Sequence, residues 1–210
     1  MLLRNLILAY ILLYPSISSS TDKPCPDDMV YSSGICIDQF EFPNKRGEKP
    51  LLALSGVKEN DAEAYFAAEN LCKSVGKRVC TRNEWRVACK GADHLKYSYG
   101  NKYNPTACNT DKIWLPADNK KIAKRDKDHL NYLNQSEPSG AKENCVNSVG
   151  VYDMVGNAEE WVKCDSGKYG WCLVGGYWAE SRSSCDYNII VHAPNFHYYG
   201  QSTRCCLDIE

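Results

Sequence analysis

Apolar and polar residues alternate between Met29 and Phe42, with Gly34 near the middle of the segment. Alternation with a period of two is typical of a strand that has one buried face. A glycine inside such a pattern favours a tight turn between two strands. We therefore expect a β-hairpin whose second strand runs through residues 36–41.

Two later segments have the spacing of amphipathic helices. Residues 60–63 open the first helix, and Gly76 ends it. Thr81 and Glu84 have the spacing of a capping box, in which each side chain bonds the backbone of the other residue. This pattern predicts a second helix that begins after Thr81 and ends at Gly91.

The middle of the chain, residues 97–147, is polar and rich in Asn, Asp, Lys and Pro, which predicts long loops. Within it we interpret the basic stretch 120–127 as a solvated loop. From Val151 to the end, short aromatic and glycine-rich segments predict short strands and tight turns. Two main helices in a chain of loops and short strands indicate an irregular, loop-rich α+β fold.

Residues 1–20 have the pattern of a secretory signal peptide. Arg4 precedes a short apolar run, and Pro15 and a cluster of small residues follow it. The alternative is an uncleaved membrane anchor, although the run is short for a bilayer-spanning helix. Residues 21–210 are enough for a single domain with its own core. The prediction is a protein that is secreted or periplasmic, with no membrane attachment after the signal is cleaved.

The chain has 12 cysteines, all of them after the predicted signal. An even, high count in an exported chain indicates a disulfide framework, whereas zinc sites need clustered spacings that this sequence lacks. Loop length makes three nearby pairs plausible, and these are Cys25–Cys36, Cys108–Cys145 and Cys164–Cys172. The formal net charge of −1 implies no electrostatic attraction to nucleic acid.

Three segments in order carry a resemblance to a known family. They are 76–85, 150–161 and 174–178, and the last is followed by Arg182 and Arg204. They resemble the Gly-Lys-Arg-Leu-Pro-Thr-Glu-Ala-Glu-Trp, Gly-Leu-Tyr-Asp-Met-x-Gly-Asn-Val-Trp-Glu-Trp and Arg-Gly-Gly-Ser-Trp segments of the formylglycine-generating, or sulfatase-modifying factor, family. The match runs from about Cys36 to Cys206.

The resemblance implies a fold similar to C-type lectins, with two main helices, short strands and bound calcium. Family functions include oxidation of a sulfatase cysteine to formylglycine, iron-dependent chemistry and non-enzymatic ligand display. Because one fold hosts several functions, the site has to decide the function.

In the oxidases of this family, two cysteines follow the Gly-Gly pair and hold copper(I). The corresponding positions here are Glu180 and Cys185. Copper(I) prefers soft thiolates and a carboxylate is a hard ligand, so we expect no copper site of the usual kind. Further departures from the family pattern are Val174, Tyr177 and Glu159, several of which correspond to the oxidase's substrate groove. They indicate either a remodelled pocket or drift in a protein that never used it.

The resemblance also implies calcium. Carboxylate and carbonyl oxygens are the ligands that this ion prefers. The second calcium site of the family corresponds to Asp153, Gly156, Ala158 and Glu160, and the first corresponds to Asn109 and Thr110, with Asn131 and Leu133 as its later ligands. The alternative for the second site is a tight turn with solvated acids.

The resemblance pairs Cys72 with Cys205. Cys89 matches a cysteine of a second family disulfide, but the partner position is Ile190. The pairing of Cys80, Cys89, Cys185 and Cys206 stays open, because connectivity does not follow from sequence.

Our leading hypothesis is an exported, non-catalytic protein that binds a protein or glycan ligand and has calcium-stabilised loops. The rivals are a copper-dependent oxidase that uses Cys185 with another partner, and a purely structural component. A metal site made of His192, His197, Cys185 and Glu180 is disfavoured, because no ligand spacing supports it. A thiol count on the native protein discriminates between the first two hypotheses.

Overall fold

The computed structural model describes residues 24–53, 64–193 and 196–209. In these residues the chain forms short strands and four helices. The helices are α1 (Ala64–Ser74), α2 (Arg82–Lys90), α3 (Asn119–Ala123) and α4 (Lys127–Leu133). The strands are β1 (Met29–Ser32), β2 (Ile35–Asp38), β3 (Arg78–Val79), β4 (Glu159–Lys163), β5 (Trp171–Val174), β6 (Asn188–Ile189), β7 (Gln201–Thr203) and β8 (Cys205–Asp208). The predicted signal peptide and the predicted helix start at 60–63 lie outside the described residues.

The predicted hairpin is confirmed, but its second strand is shorter than predicted, since β2 ends at Asp38 and not at Glu41. Strands β1 and β2 pair antiparallel, with Met29 opposite Asp38 and Ser32 opposite Ile35. Gly34 lies in the turn with a φ of 94°, a conformation that glycine adopts without strain. The first sheet has the order β1-β2-β8-β3, so the C-terminal strand β8 lies between the hairpin and β3.

The second sheet has the order β6-β5-β4-β7. Strand β4 pairs antiparallel with β5 and parallel with β7. A single residue, Arg204, separates β7 from β8, so the chain passes from one sheet to the other at this point. Because Arg204 is 0% exposed, the junction of the two sheets contains a buried charge.

The capping box of α2 is confirmed. The backbone N–H of Glu84 donates to Oγ1 of Thr81 at 3.2 Å, and the Thr81 N–H donates to Oε2 of Glu84 at 2.7 Å. The two bonds satisfy backbone donors that the helix itself leaves free. They hold Trp85, at the first turn of the helix, against the core, where it is 1% exposed.

The prediction of a solvated loop at 120–127 was wrong, because α3 and the start of α4 occupy this stretch. Oδ1 of Asp118 accepts hydrogen bonds from the N–H groups of Lys120 and Lys121, and Oδ1 of Asp126 accepts one from His129 N–H. Aspartate at an N-cap stabilises a helix start in this way. Each helix is too short to show a periodic apolar face, which is why the pattern was missed.

All 12 cysteines form disulfides in the structure. The bonds are Cys25–Cys36, Cys72–Cys205, Cys80–Cys206, Cys89–Cys185, Cys108–Cys145 and Cys164–Cys172. The four pairs expected from loop length and family resemblance are confirmed, and the structure settles the other two. Two neighbouring bonds from Cys205 and Cys206 tie the C-terminal strand to α1 and to Cys80, at the end of β3.

The α+β organisation with short strands and several disulfides is confirmed. The core contains three fully buried tryptophans, Trp85, Trp161 and Trp178, that come from different parts of the chain. Within the described ranges, none of the helices has the length and apolar character needed to cross a membrane.

Candidate functional site

Cys185, which corresponds to one of the family's copper-binding cysteines, is bonded to Cys89 across a Cα–Cα distance of 5.5 Å. The bond is enclosed, since Cys89 is 0% and Cys185 is 2% exposed. Copper(I) binds the thiolate form of cysteine, which a disulfide does not provide. The position therefore offers no thiolate ligand in the oxidised protein.

Glu180, which corresponds to the other copper-binding cysteine of the family, is held by neighbouring side chains. Its Oε1 accepts hydrogen bonds from Nε and the backbone N–H of Arg182 at 3.1 and 3.0 Å, and its Oε2 accepts one from the Tyr187 hydroxyl at 2.9 Å. Burial acts to raise the pKa of Glu180, but these hydrogen bonds outweigh it and hold the pKa below its ordinary value. Glu180 is therefore an ionised partner of Arg182.

Two departures from the family pattern, Glu159 and Tyr177, lie in one polar and aromatic cluster. The ring of Tyr177 lies 6.2 Å from that of Tyr198 and 6.0 Å from that of Tyr199. The cluster surrounds Glu159, which begins β4 and is 3% exposed. The Gln201 amide faces this carboxyl group, although its Nε2 makes no hydrogen bond of ordinary geometry.

Electrostatics keep this cluster protonated at neutral pH. Burial raises the pKa of Glu159 to about 8, and the negative charge of Glu180 acts in the same direction, while Gln201 opposes it. Burial also raises the pKa of the Tyr177 and Tyr199 hydroxyls, and the charge on Glu159 adds to both shifts. No ion pair of Glu159 is seen with any residue that the structure describes.

Glu160, predicted to bind calcium, forms a buried ion pair with Arg204. Nη2 of Arg204 lies 2.9 Å from Oε1 of Glu160, and Nε of Arg204 donates to both carboxylate oxygens. Nε1 of Trp85 donates to Oε2 at 2.7 Å. Because both oxygens already have donors, an ion at this position would have to compete with Arg204.

Asp153 and Gly156 lie close to this pair in the turn that precedes β4. Oδ2 of Asp153 accepts a hydrogen bond from Gly140 N–H at 2.6 Å, and burial raises the pKa of the carboxyl group to about 6. Gly156 has a φ of 81°, and a Cβ there would lie 2.4 Å from the carbonyl oxygen of Asn109. The glycine therefore lets the loop at Asn109 pack directly on this turn.

Glu41, which the sequence reasoning missed, holds the same turn from the other side. Nδ2 of Asn157 donates to both of its carboxylate oxygens at 2.9 and 3.1 Å, and Ala158 N–H and the Ser139 hydroxyl also donate to it. Burial raises the pKa of Glu41, and the charges of Asp153 and Glu160 add to the shift. The alternating pattern of the hairpin placed Glu41 in a strand but did not indicate a buried acid.

Asn109, predicted to open the first calcium site, has a buried oxygen with no hydrogen-bond partner. Its Nδ2 donates to Gln135 O and to Oδ1 of Asn157, both at 3.0 Å, which fixes the orientation of the amide. Its Oδ1 is left without a donor. An unpaired buried amide oxygen is costly unless a ligand or water satisfies it.

The remaining predicted calcium residues lie near this loop and in α4. Thr110 follows Asn109 and is also buried. Leu133 packs its side chain into the core, while the carbonyl oxygen of Asn131 accepts the N–H of Asn134 at 3.3 Å. In the described part of the chain, no group of three or more His, Cys, Asp or Glu side chains could hold a metal ion. A calcium site among these residues would therefore need amide or carbonyl oxygens in addition to any carboxylates.

His192 and His197 line a cavity together with Phe196. The rings of His192 and Phe196 stack with centroids 3.6 Å apart, and burial lowers the pKa of His192. Since Cys185 is in a disulfide, the metal site that combined it with these histidines is not available. No sequence motif pointed to the cavity, because its walls come from separate segments.

Residues 28–194 match the model of the sulfatase-modifying factor enzyme 1-like domain, the FGE-sulfatase family. The chain belongs to this family. Its disulfide at Cys185 and its carboxylate at Glu180 are thus features of a sulfatase-modifying factor-like protein. The resemblance drawn from the three sequence segments is confirmed.

Two curated relatives are each similar to about half of the chain. One, named inactive C-alpha-formylglycine-generating enzyme 2 from Bos taurus, is 35% identical over 108 residues, or 50% of this chain and 30% of its own length. Its counterpart from Mus musculus is 33% identical over 118 residues, or 54% of this chain and 32% of its own length. The matched part spans about a third of the length of these relatives.

Solved structures with a similar fold include two variants of the Major Tropism Determinant. The P3c variant gives a TM-score of 0.57 at 12% identity, over 88% of this chain and 53% of that chain. The U1 variant gives 0.54 at 13% identity, with the same coverage. At this identity the likeness shows the fold alone.

Proposed function

We propose that this sulfatase-modifying factor-like protein is exported and non-catalytic, and that it acts by binding a protein or glycan ligand. The observation that carries the proposal is the disulfide between Cys185 and Cys89 beside a Glu180 that is paired with Arg182. A copper-dependent oxidase of this family needs two thiolates, and this site has a disulfide and a carboxylate instead. The curated relatives from Bos taurus and Mus musculus carry names that describe them as inactive.

Export is supported by the disulfides. Six bonds occupy all of the cysteines, and such bonds persist in oxidising compartments outside the cytosol. Residues 1–20 have the pattern of a secretory signal peptide, which also supports export. The proposed location is therefore extracellular or periplasmic.

Calcium is part of the proposal at the Asn109 loop. The unpaired Oδ1 of Asn109 is a suitable hard ligand, and the Thr110 carbonyl would add a second oxygen. The ion would supply positive charge beside the turn before β4. In that turn the buried carboxyl groups of Glu41, Asp153 and Glu160 face one buried arginine, Arg204. Binding at Asp153, Gly156, Ala158 and Glu160 stays a prediction, and it would require Glu160 to leave Arg204.

A peptide-oxidation assay tests the non-catalytic proposal. The native protein is incubated with copper and a sulfatase-type cysteine peptide, and formylglycine is measured by mass spectrometry, with a thiol count on the same preparation. We expect no formylglycine and no titratable thiol. Formylglycine that is formed by the native protein and lost in Cys185→Ser would overturn the proposal in favour of the oxidase.

A further inference from the structure

The order of the cysteines along the chain divides the six disulfides into two groups. Three bonds join cysteines with no other cysteine between them, and these are Cys25–Cys36, Cys108–Cys145 and Cys164–Cys172. The other three span 133, 126 and 96 residues, and these are Cys72–Cys205, Cys80–Cys206 and Cys89–Cys185. Because synthesis and export both begin at the N-terminus, the first cysteine of each long bond is present well before its partner.

Short loops favour wrong pairs among the cysteines that wait. Cys80 lies 8 residues after Cys72 and 9 residues before Cys89. A separation of 8 residues is enough for a native bond, since Cys164 and Cys172 have it. The probability of loop closure falls with about the 3/2 power of loop length, so that a loop of 8 residues is favoured roughly sixtyfold over the 126 residues of the native bond at Cys80. Early oxidation should therefore join Cys80 to Cys72 or to Cys89.

Adjacent cysteines near the C-terminus add a second source of wrong bonds. Cys205 and Cys206 are successive residues of β8, so their side chains point to opposite faces of the sheet. Cys205 packs in the cluster that contains Trp161, and Cys206 packs in the cluster that contains Trp85. An exchange of their partners would require β8 to slip by one residue, which turns every side chain of the strand to the other face.

Strand β8 cannot slip without loss of the first sheet, because it pairs with β2 on one side and with β3 on the other. In the native register Cys206 lies opposite both Ile37 and Arg78. An isomer with exchanged bonds therefore lacks the native sheet, and its disulfides stay open to reaction. In the native fold the four cysteines of these two bonds are each 0% exposed, so dissolved thiols do not reach them.

We propose that the non-native disulfides of this chain are the substrate of a thiol–disulfide isomerase in the exporting compartment. The partner is an enzyme with a reactive thiolate and an apolar surface, since incompletely folded chains expose apolar segments. The inference rests on the proposed export and adds a partner to it. Exchange ends at the native bonds because these are enclosed, so the folded protein is no longer a substrate.

The exchange balances in atoms and electrons. The isomerase thiolate attacks a Cys72–Cys80 disulfide at the sulfur of Cys72, forms a mixed disulfide and releases Cys80 as a thiolate. The thiolate of Cys205 then attacks the same sulfur, which forms Cys72–Cys205 and returns the isomerase thiolate. Cys205 gives up one proton and Cys80 takes one up at neutral pH. The earlier oxidation of the thiols needs a dithiol oxidase, whose own disulfide accepts two electrons for each bond formed.

Refolding of the reduced full chain tests the inference. The chain refolds in a buffer of reduced and oxidised glutathione, either with a catalytic amount of protein disulfide isomerase or with an isomerase variant that lacks its active-site cysteines. Mass spectrometry that fragments the backbone between Cys205 and Cys206 measures the yield of each native bond. We expect the active isomerase to raise the early yield of the three long bonds by roughly fivefold or more. The inactive variant should not raise it.

Paired-serine variants with ten cysteines each show which bonds create the dependence. Replacing Cys72 and Cys205 together, or Cys80 and Cys206 together, removes one long bond and the choice of partner at β8. In each of these variants the ratio of yields with and without isomerase should fall to about half or less of the natural ratio. The matched control replaces Cys164 and Cys172, which removes one local bond and should leave the ratio of the long bonds unchanged.

A trapping measurement holds even where a serine variant fails to fold. An isomerase whose second active-site cysteine is replaced retains its mixed disulfides, because it cannot release them. The refolding natural chain should form such an adduct at Cys72, Cys80 or Cys89, and the native protein should form none.

Three outcomes overturn the inference: equal yields of the long bonds with active and inactive isomerase, an equal fall of the ratio in the control and the long-bond variants, or no trapped adduct during refolding. Each of these outcomes leaves the non-catalytic proposal standing, since the peptide assay tests that proposal. Titratable thiols in the native protein would contradict the proposed export, whatever the refolding experiment shows.

Discussion

Cys185 and Cys89 lie in different parts of the sequence, 96 residues apart, yet their Cα atoms are 5.5 Å apart and their sulfurs are bonded. The remaining cysteine of the family's thiolate pair is therefore occupied by a structural bond between α2 and the loop before β6. The other position of the pair holds Glu180 in place of a cysteine, and Cys185 is in a disulfide. Both changes have the same chemical consequence. Neither position presents a thiolate to copper(I).

We expect that Glu180→Cys alone will not restore copper(I) binding, because Cys185 remains bonded to Cys89. The double variant Glu180→Cys with Cys89→Ala frees the second thiol and should bind copper(I) more tightly than either single variant. Competition with a chromogenic copper(I) chelator measures this. Formylglycine turnover should stay low in the double variant, since Tyr177 and Glu159 still occupy the groove positions.

Cys89→Ala alone is the matched control for the double variant, because it frees Cys185 without adding a second thiol. Equal copper(I) affinity in the single variant Glu180→Cys and in the double variant would contradict the role assigned to the disulfide.

Calcium should raise the thermal midpoint of the protein relative to a chelator, since a ligand that binds only the native state stabilises it by mass action. Asn109→Ala should abolish most of that difference, because it removes the unpaired Oδ1. The quantity compared is the calcium-dependent shift in each variant, which is independent of any loss of baseline stability. Differential scanning calorimetry measures it.

The control for the calcium experiment is Asn104→Ala, which alters an exposed asparagine of the same loop region that bonds Thr106. Its calcium-dependent shift should equal that of the natural chain. Identical midpoints of the natural chain in calcium and in chelator would exclude the site.

Reduction of the disulfides should remove most of the tertiary structure, measured by near-ultraviolet circular dichroism. Long polar segments bury little apolar area and depend on covalent links. Chain-entropy arguments further predict that replacing Cys108 and Cys145 by serine lowers the free energy of unfolding more than replacing Cys164 and Cys172, by about 1 kcal/mol. The first bond closes a separation of 37 residues and the second one of 8.

Urea unfolding of the two paired-serine variants measures this difference. Retained near-ultraviolet signals after full reduction would instead show that the apolar core suffices without the bonds.

Stability should fall between about pH 4.5 and pH 8 because of Glu159, whose pKa is raised from 4.5 to about 8 in the folded protein. Over this window the folded state binds the proton and the unfolded state has lost it, so each pH unit destabilises the fold by up to about 1.4 kcal/mol. Glu159→Gln should remove this contribution and be more stable than the natural chain at pH 8. Urea unfolding at several pH values measures it.

Asp153 and Glu41 also have raised pKa values, so they too lower the stability as pH rises. The contribution of Glu159 is therefore the difference between the pH profile of Glu159→Gln and that of the natural chain. Glu143→Gln changes an exposed glutamate and should leave the pH profile unaltered. A profile of Glu159→Gln that is parallel to that of the natural chain would contradict the buried, protonated carboxyl.

The family and much of the framework were predictable from the sequence because they depend on neighbours along the chain. The Thr81–Glu84 capping box, the hairpin around Gly34 and the bond between Cys164 and Cys172 all involve short separations. The missing thiolate at Glu180 was also evident from sequence, since it needed only the position of the Gly-Gly pair. Cys72–Cys205 was predictable for another reason, which is the resemblance to the family.

Tertiary structure decided which distant groups meet. The bond from Cys185 to Cys89, the ion pair of Glu160 with Arg204 and the burial of Glu41 bring together residues whose types do not specify their partners. The aromatic cavity likewise combines α3 with a segment near the C-terminus. Pairing of this kind depends on distances in the folded chain, because a cysteine or a carboxylate bonds whichever suitable group the packing of the two sheets places within reach.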